Sequence, residues 1–126
     1  MILLDFITRQ DDRHLSNIAI KITAKGESFY PLYDNGRSLF YEDTEDMVQR
    51  TVSAPEIYAT TFGYSGTYWD NIQEITSERT DVKTLLNLDI SKDEVAAILQ
   101  KSGFTSHRYD GALKWIVKAI EMIKAL

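Results

Sequence analysis

Asp12 and Asn17 stand five positions apart in the polar stretch Asp12-Arg13-His14-Leu15-Ser16-Asn17, and Asp34 follows 22 positions after Asp12 in Leu32-Tyr33-Asp34-Asn35-Gly36. These residue types suit phosphoryl transfer. That reaction requires a carboxylate to orient the acceptor hydroxyl and take its proton, and oxygen ligands to hold Mg2+ against the phosphates. The sequence between Asn17 and Asp34 reads as a β-hairpin. A hairpin brings its two ends together, so Asn17 and Asp34 can face one metal. The competing reading is a polar turn before a hairpin, with Asp34-Asn35-Gly36 a simple tight turn.

The elements that must position these residues are legible in outline. Leu3, Phe6 and Ile7 have helical spacing, and the polar run Arg9 to His14 after them reads as a loop. Ile18, Ile20 and Ile22 alternate with Ala19 and Lys21, the period of a strand. Lys25-Gly26-Glu27-Ser28 is expected to turn the chain, and Phe29 to Tyr33 to return as the second strand. From residue 44 onward the chain reads as mostly helical. Thr44 can cap a helix through Glu45 and Asp46. Ser91-Lys92-Asp93-Glu94 matches a capping box, and the helix that follows, Val95 to Lys101, can end at Gly103. Ser106 is the expected cap of the last helix, whose Leu113, Ile116, Val117, Ile120, Ile123 and Leu126 form an apolar stripe. Residues 53–68, rich in Gly, Tyr and Thr, fit no element clearly.

At these residues the chain resembles a known family. Asp12-Arg13-His14-x-x-Asn17 is similar to the catalytic loop of HipA-like toxin kinases and of phosphoinositide-type kinases, with the order Asp-Arg-His in place of the His-Arg-Asp of ordinary protein kinases. Pro31-Leu32-Tyr33-Asp34-Asn35-Gly36-Arg37-Ser38-Leu39 resembles the HipA-like form of the Asp-Phe-Gly element, where Pro-x-(Tyr/Phe)-Asp-x-Gly is common. The resemblance is tight over residues 1–40; the helical remainder agrees only in character with a kinase C-lobe. It implies Asp12 as catalytic base, Asn17 and Asp34 as Mg2+ ligands, ATP as phosphoryl donor and a protein Ser/Thr hydroxyl as acceptor.

Neighbouring residues carry two readings each. Asp11 adjoins Asp12 and is an alternative base, but the spacing to Asn17 favours Asp12 and leaves Asp11 as a solvated loop residue. Arg13 either pairs with a carboxylate inside the loop or is solvated. His14 is expected to brace the loop rather than to act as a second acid or base. Arg37 either touches a phosphate or lies on the surface. Gly63 and Gly66 are not a phosphate loop, since no Lys-Ser/Thr follows, and turns are expected there. Trp69 and Trp115 are expected in the core.

Composition bounds the remaining choices. The 126 residues suffice for one core, and 44% apolar with 26% charged residues argues against disorder. A net charge of −5 without a Lys/Arg run gives no electrostatic footprint for nucleic acid or anionic lipid. Without cysteine there is neither disulfide nor thiolate chemistry. Met1 to Phe6 lacks the pattern of a signal peptide, and no stretch reaches the roughly 18 apolar residues of a membrane span, so a cytoplasmic protein is expected.

The resemblance places an entire N-lobe ahead of the catalytic loop, whereas eleven residues precede Asp12 and no Gly-x-Gly-x-x-Gly occurs in the sequence. An excised piece, a chain paired with a separate N-lobe-bearing chain, and a remnant without catalysis all fit. A C-lobe without its neighbours exposes apolar surface, with residues 2–7 the candidate patch, which favours self-association or a partner. The expected architecture is mainly α with an N-terminal β-hairpin, part of a protein-kinase-like C-lobe. It forms one domain over residues 1–126: catalytic loop and metal-binding hairpin at 9–36, helical remainder at 44–126. The expected function is the C-terminal part of a HipA-like Ser/Thr kinase, inactive until an N-lobe completes it. The alternatives are a non-catalytic binding or regulatory module on the same fold, and a fragment of a phosphoinositide-type lipid kinase.

Overall fold

The computed structural model describes residues 1–33, 35–58, 66–79 and 89–126. Within them the chain is mainly helical, with one two-stranded antiparallel hairpin near the N-terminus. Helix α1 spans Ile2–Ile7, strands β1 and β2 span Ile20–Thr23 and Gly26–Phe29, and helices α2, α3, α4 and α5 span Glu45–Ser53, Tyr68–Glu78, Lys92–Lys101 and Ser106–Lys124. Short 3₁₀ turns cover Leu15–Asn17 and Pro55–Ile57.

The hairpin turns earlier than the sequence pattern suggests. Ile20 pairs with Phe29 and Thr23 with Gly26, which leaves only Ala24 and Lys25 in the turn. Gly26, at φ +118°, accepts a backbone conformation that an L side chain resists, so it can close so tight a connection. The returning strand is also shorter than expected. One further rung forms where Tyr30 N donates to Ala19 O at 2.9 Å.

Helix ends follow their polar signals. The Thr44 hydroxyl accepts from Met47 N, and Ser91 with Glu94 forms the full capping box. Thr67 and Asp70 form a second box at the start of α3. Gly103, at φ +81°, leads the chain out of α4. The last helix is capped one residue ahead of Ser106, at extended Thr105, whose side chain makes no capping bond.

Helix α5 runs along α1, α2 and α4. Its most buried positions are Ala112, Trp115, Ala119 and Ile123, with Gly111 and Ile120 beside them, so the buried face is rotated from the expected stripe; Leu113 and Val117 are only half-buried. The rotation has a packing cause. Three helices approach α5, and the small residues on this face admit them. The Trp115 ring is the centre of the core, with edge contacts to Phe6 at 5.5 Å, Tyr58 at 5.4 Å and Phe40 at 6.0 Å, and Trp69 packs on Phe6. Trp115 Nε1 donates to Phe6 O at 2.8 Å, which satisfies the indole inside the apolar cluster.

The N-terminal segment is not the exposed apolar patch that the sequence suggested. Phe6 is fully buried and Ile2, Leu3 and Ile7 pack on the core, because α1 lies against α3 and α5; Leu4 and Met1 alone face outward. Exposed apolar surface gathers instead on the hairpin, at Ile20, Ile22, Phe29 and Tyr30.

At Gly111 α2 presses directly on α5. A Cβ built there overlaps Val48 Cγ1. Gly111→Ala is therefore expected to destabilise by about 1–3 kcal/mol through overpacking, despite the roughly 1 kcal/mol that alanine gains in helix propensity. Urea unfolding of G111A, V48A and the double variant checks this. The cycle should show Val48→Ala relieving the clash, whereas a G111A chain as stable as wild type would place α2 farther from α5.

Candidate functional site

The loop between α1 and the hairpin begins where α1 stops. Arg9 turns the chain with φ +45°, an uncommon conformation for a residue with a side chain. Its buried guanidinium lies 4.4 Å from the Phe40 ring centre and 5.3 Å from that of Tyr58. Nη2 approaches Asp43 Oδ2 at 2.8 Å and Nη1 lies 3.8 Å from Asp11 Oδ2, ion pairs without hydrogen-bond geometry. Charge and stacking together hold the strained turn.

Gln10 follows, fully buried, and its carbonyl accepts from the Tyr58 hydroxyl at 3.0 Å and the Tyr68 hydroxyl at 3.3 Å. Gln10 Oε1 accepts from Asp12 N at 3.1 Å. The start of the loop is thus bolted to the aromatic core by side-chain donors rather than by regular backbone pairing.

The two adjacent aspartates part ways. Asp11 lies between Arg9 and Arg37, whose Nε is 3.3 Å from Asp11 Oδ1, and this carboxylate raises the pKa of the Arg37 guanidinium. Asp11 is therefore charge-matched, not the solvated residue expected, and Arg37 spends its charge on Asp11 and Glu42. The Asp12 side chain is 41% exposed against 23% for Asp11, and its nearest ion-pair partner among the described residues is His14 Nε2 at 4.0 Å. Of the two, Asp12 is the carboxylate open to a ligand. His14 is exposed, so its imidazole does not brace the loop as expected; its backbone does so instead.

Asn17 closes the loop. Its Nδ2 donates to Asp12 O at 2.7 Å, and its Oδ1 accepts from His14 N at 3.0 Å. The carboxamide is almost wholly buried and its orientation is fixed. Oδ1 retains one lone pair, the capacity it has left for a hard cation such as Mg2+. Asp34 lies outside the described residues, as does Gly63. Both neighbours of Asp34 are described, and both come to the loop: the Tyr33 hydroxyl donates to Ser16 O at 3.0 Å, and Asn35 Oδ1 accepts from Gln10 Nε2 at 3.4 Å. Among the described residues no group of three or more His, Asp or Glu side chains forms a metal cluster.

Arg13 settles the choice that the sequence left open. It is fully buried and paired, but with a carboxylate outside the loop. Nε and Nη2 donate to Asp5 Oδ2 and Oδ1 at 3.1 and 2.9 Å, a bidentate pair that reaches from the loop to α1. Sequence reasoning missed Asp5. The available signal was an acidic residue inside the apolar run Ile2-Leu3-Leu4-Asp5-Phe6-Ile7, which requires a buried partner.

Beyond the hairpin, residues 37–43 are clamped from α5. Arg108 donates to Leu39 O at 3.1 Å and Ser38 O at 3.4 Å, and Leu39 N donates to Thr8 O at 2.9 Å. Leu39 and Phe40 both take positive φ, and burial of the Phe40 ring in the core offsets that strain.

The chain matches no family model, no curated protein and no solved structure. Among the described residues no helix is long and apolar enough to cross a membrane.

Two outcomes test this geometry. Asp5→Ala strands a buried guanidinium and should cost about 3–5 kcal/mol, read by urea unfolding; a loss within about 0.5 kcal/mol, typical of surface changes, contradicts the pairing. Tyr58 supplies a pH dependence. Burial raises the pKa of its hydroxyl well above the ordinary tyrosine range. The folded chain thus keeps this proton where the unfolded chain loses it, and stability is intact below tyrosine's usual pKa of about 10 and falls as pH rises through it. Tyr58→Phe should flatten that alkaline slope, and an unchanged slope would assign it to other groups.

Proposed function

We propose that this chain is the catalytic-loop part of a HipA-like Ser/Thr kinase, a piece of a protein-kinase-like C-lobe that transfers the γ-phosphoryl group of ATP to a protein hydroxyl when a nucleotide-gripping N-lobe completes it. The observation that carries the reading is the closed loop Asp12–Asn17. Its side-chain amide is locked across five residues, its first carboxylate stays open, and the adjacent carboxylate is neutralised by arginines. A general base needs that combination: a fixed backbone, an uncommitted carboxylate, and no competing acid beside it. Asn17 Oδ1 and the Asp34 carboxylate would hold Mg2+, which supplies charge neutralisation at the transferred phosphoryl oxygens. The donor chemistry fits, since both are hard oxygen ligands.

Two other readings have support. The hydrogen bonds at both ends of the Asn17 amide, together with an exposed apolar hairpin, also suit a binding or regulatory module that keeps the fold without catalysis. A phosphoinositide-type kinase shares Asp-Arg-His-x-x-Asn, but the Tyr33-Asp34-Asn35-Gly36 form and the acidic, patch-free composition favour the protein kinase.

The test is phosphotransfer by the chain joined to an N-lobe, fused or in trans. Asp12→Asn should abolish turnover, since general-base help is worth about 10²–10⁴-fold, with the thermal melt unchanged; Asp11→Asn should matter far less. Asp34→Asn should act like Asp12→Asn by weakening metal binding. Equal turnover in wild type and D12N removes Asp12 from the role. No turnover in any completed wild-type protein favours the binding module.

A further inference from the structure

Every nitrogen of the Arg13 guanidinium is engaged. Nε and Nη2 take the two oxygens of Asp5. Nη1 donates to Tyr33 O at 2.9 Å and Asn17 O at 3.4 Å, and Nη2 also donates to Asn35 Oδ1 at 2.6 Å. Apart from Asp5, the acceptors among the described residues include Asn17 itself and the residues immediately before and after Asp34.

We infer that Arg13 is a positioning residue for the metal-binding edge of this site, holding Asn17 against Tyr33 and Asn35, with Asp5 on α1 as the counter-ion that orients it. This rests on the reading of Asn17 and Asp34 as metal ligands. A guanidinium is a planar fork, and the bidentate bond to Asp5 fixes its plane. The remaining N–H groups then point in set directions, those of Nη1 toward the carbonyls of residues 17 and 33 and the second one of Nη2 toward the side chain of residue 35. A single nitrogen bonded to both Asn17 O and Tyr33 O draws the end of the loop to the end of the hairpin.

A purely structural role accounts for less. Helix α1 is already anchored by Phe6 against Trp115. The Asp5 charge needs one cation, and the bidentate pair supplies it. The further bonds go to Asn17 and to Tyr33 and Asn35, the last two of which face solvent. Outer residues that orient metal ligands in this way typically change metal affinity or activity about 10–100-fold when altered.

The experiment uses the full chain with Mn2+ as the probe. Manganese added to ¹⁵N-labelled protein broadens amide signals near the bound ion, and the titration gives an affinity. Wild type should show saturable broadening at Asn17, Tyr33 and Asn35. Arg13→Lys keeps the cation that Asp5 requires but loses the fork, and its Mn2+ affinity should fall about 10–100-fold while its spectrum remains that of a folded protein. Asn35→Ala changes an exposed residue and keeps the Asp5–Arg13 pair, so it serves where R13K folds poorly; affinity should fall in the same direction by a smaller factor. Wild-type affinity in folded R13K, or in N35A where R13K does not fold, overturns the role of Arg13 and leaves the metal site standing. Absence of saturable broadening at these amides in wild type overturns the metal site, and the role of Arg13 with it.

Discussion

The buried pair between Asp5 and Arg13 is the constraint from which the arrangement of the N-terminal third follows. Neither charge is exposed, and removing both from water costs several kcal/mol per ion after relaxation. Such a pair persists only where its remaining hydrogen-bonding capacity is met. Arg13 meets it with carbonyls of the loop and of the hairpin's exit. Helix α1, the loop at 12–17 and the chain around position 34 are therefore not independent parts; moving any one of them leaves donors of a buried cation unmet.

That polar centre stands on an apolar one. Trp115 reaches α1 both by ring contact with Phe6 and by its indole N–H on the Phe6 carbonyl. Tyr58 and Tyr68 stack at 5.2 Å and converge their hydroxyls on Gln10 O, so the residues that open the loop hang from the same aromatic cluster. The loop owes its shape to these long-range donors, which explains how a stretch with little regular structure holds one open carboxylate beside one neutralised carboxylate.

How much of this was legible in the sequence depended on the range of the interaction. The caps at Thr44 and Ser91 and the glycine exit at 103 were readable because donor and acceptor lie within three or four residues. The capping box at Thr67 obeys the same rule but sits beside the Gly-, Tyr- and Thr-rich stretch, where no apolar period marked a helix start. The hairpin was readable from alternation, though not its tight two-residue turn at Ala24 and Lys25. Candidate residues Asp12 and Asn17 were visible from type and spacing alone. The pairing of Arg13 with Asp5 and of Asp11 with Arg37 was not, because no local pattern encodes a contact across eight or twenty-six positions.

One open carboxylate, one locked carboxamide and a hairpin whose exit is drawn back to the loop lie together, and the proposed function makes Asn17 and Asp34 a shared cation site. A manganese anomalous difference map from crystals of the chain soaked in Mn2+ tests that claim most directly. The account predicts a peak bonded to both Asn17 Oδ1 and the Asp34 carboxylate, at the roughly 2.1 Å of a small divalent ion and its oxygen ligands, with the Asp12 carboxylate opening onto the same cleft. An Asp34 carboxylate directed to the far side of the hairpin, with no peak at Asn17, would contradict it.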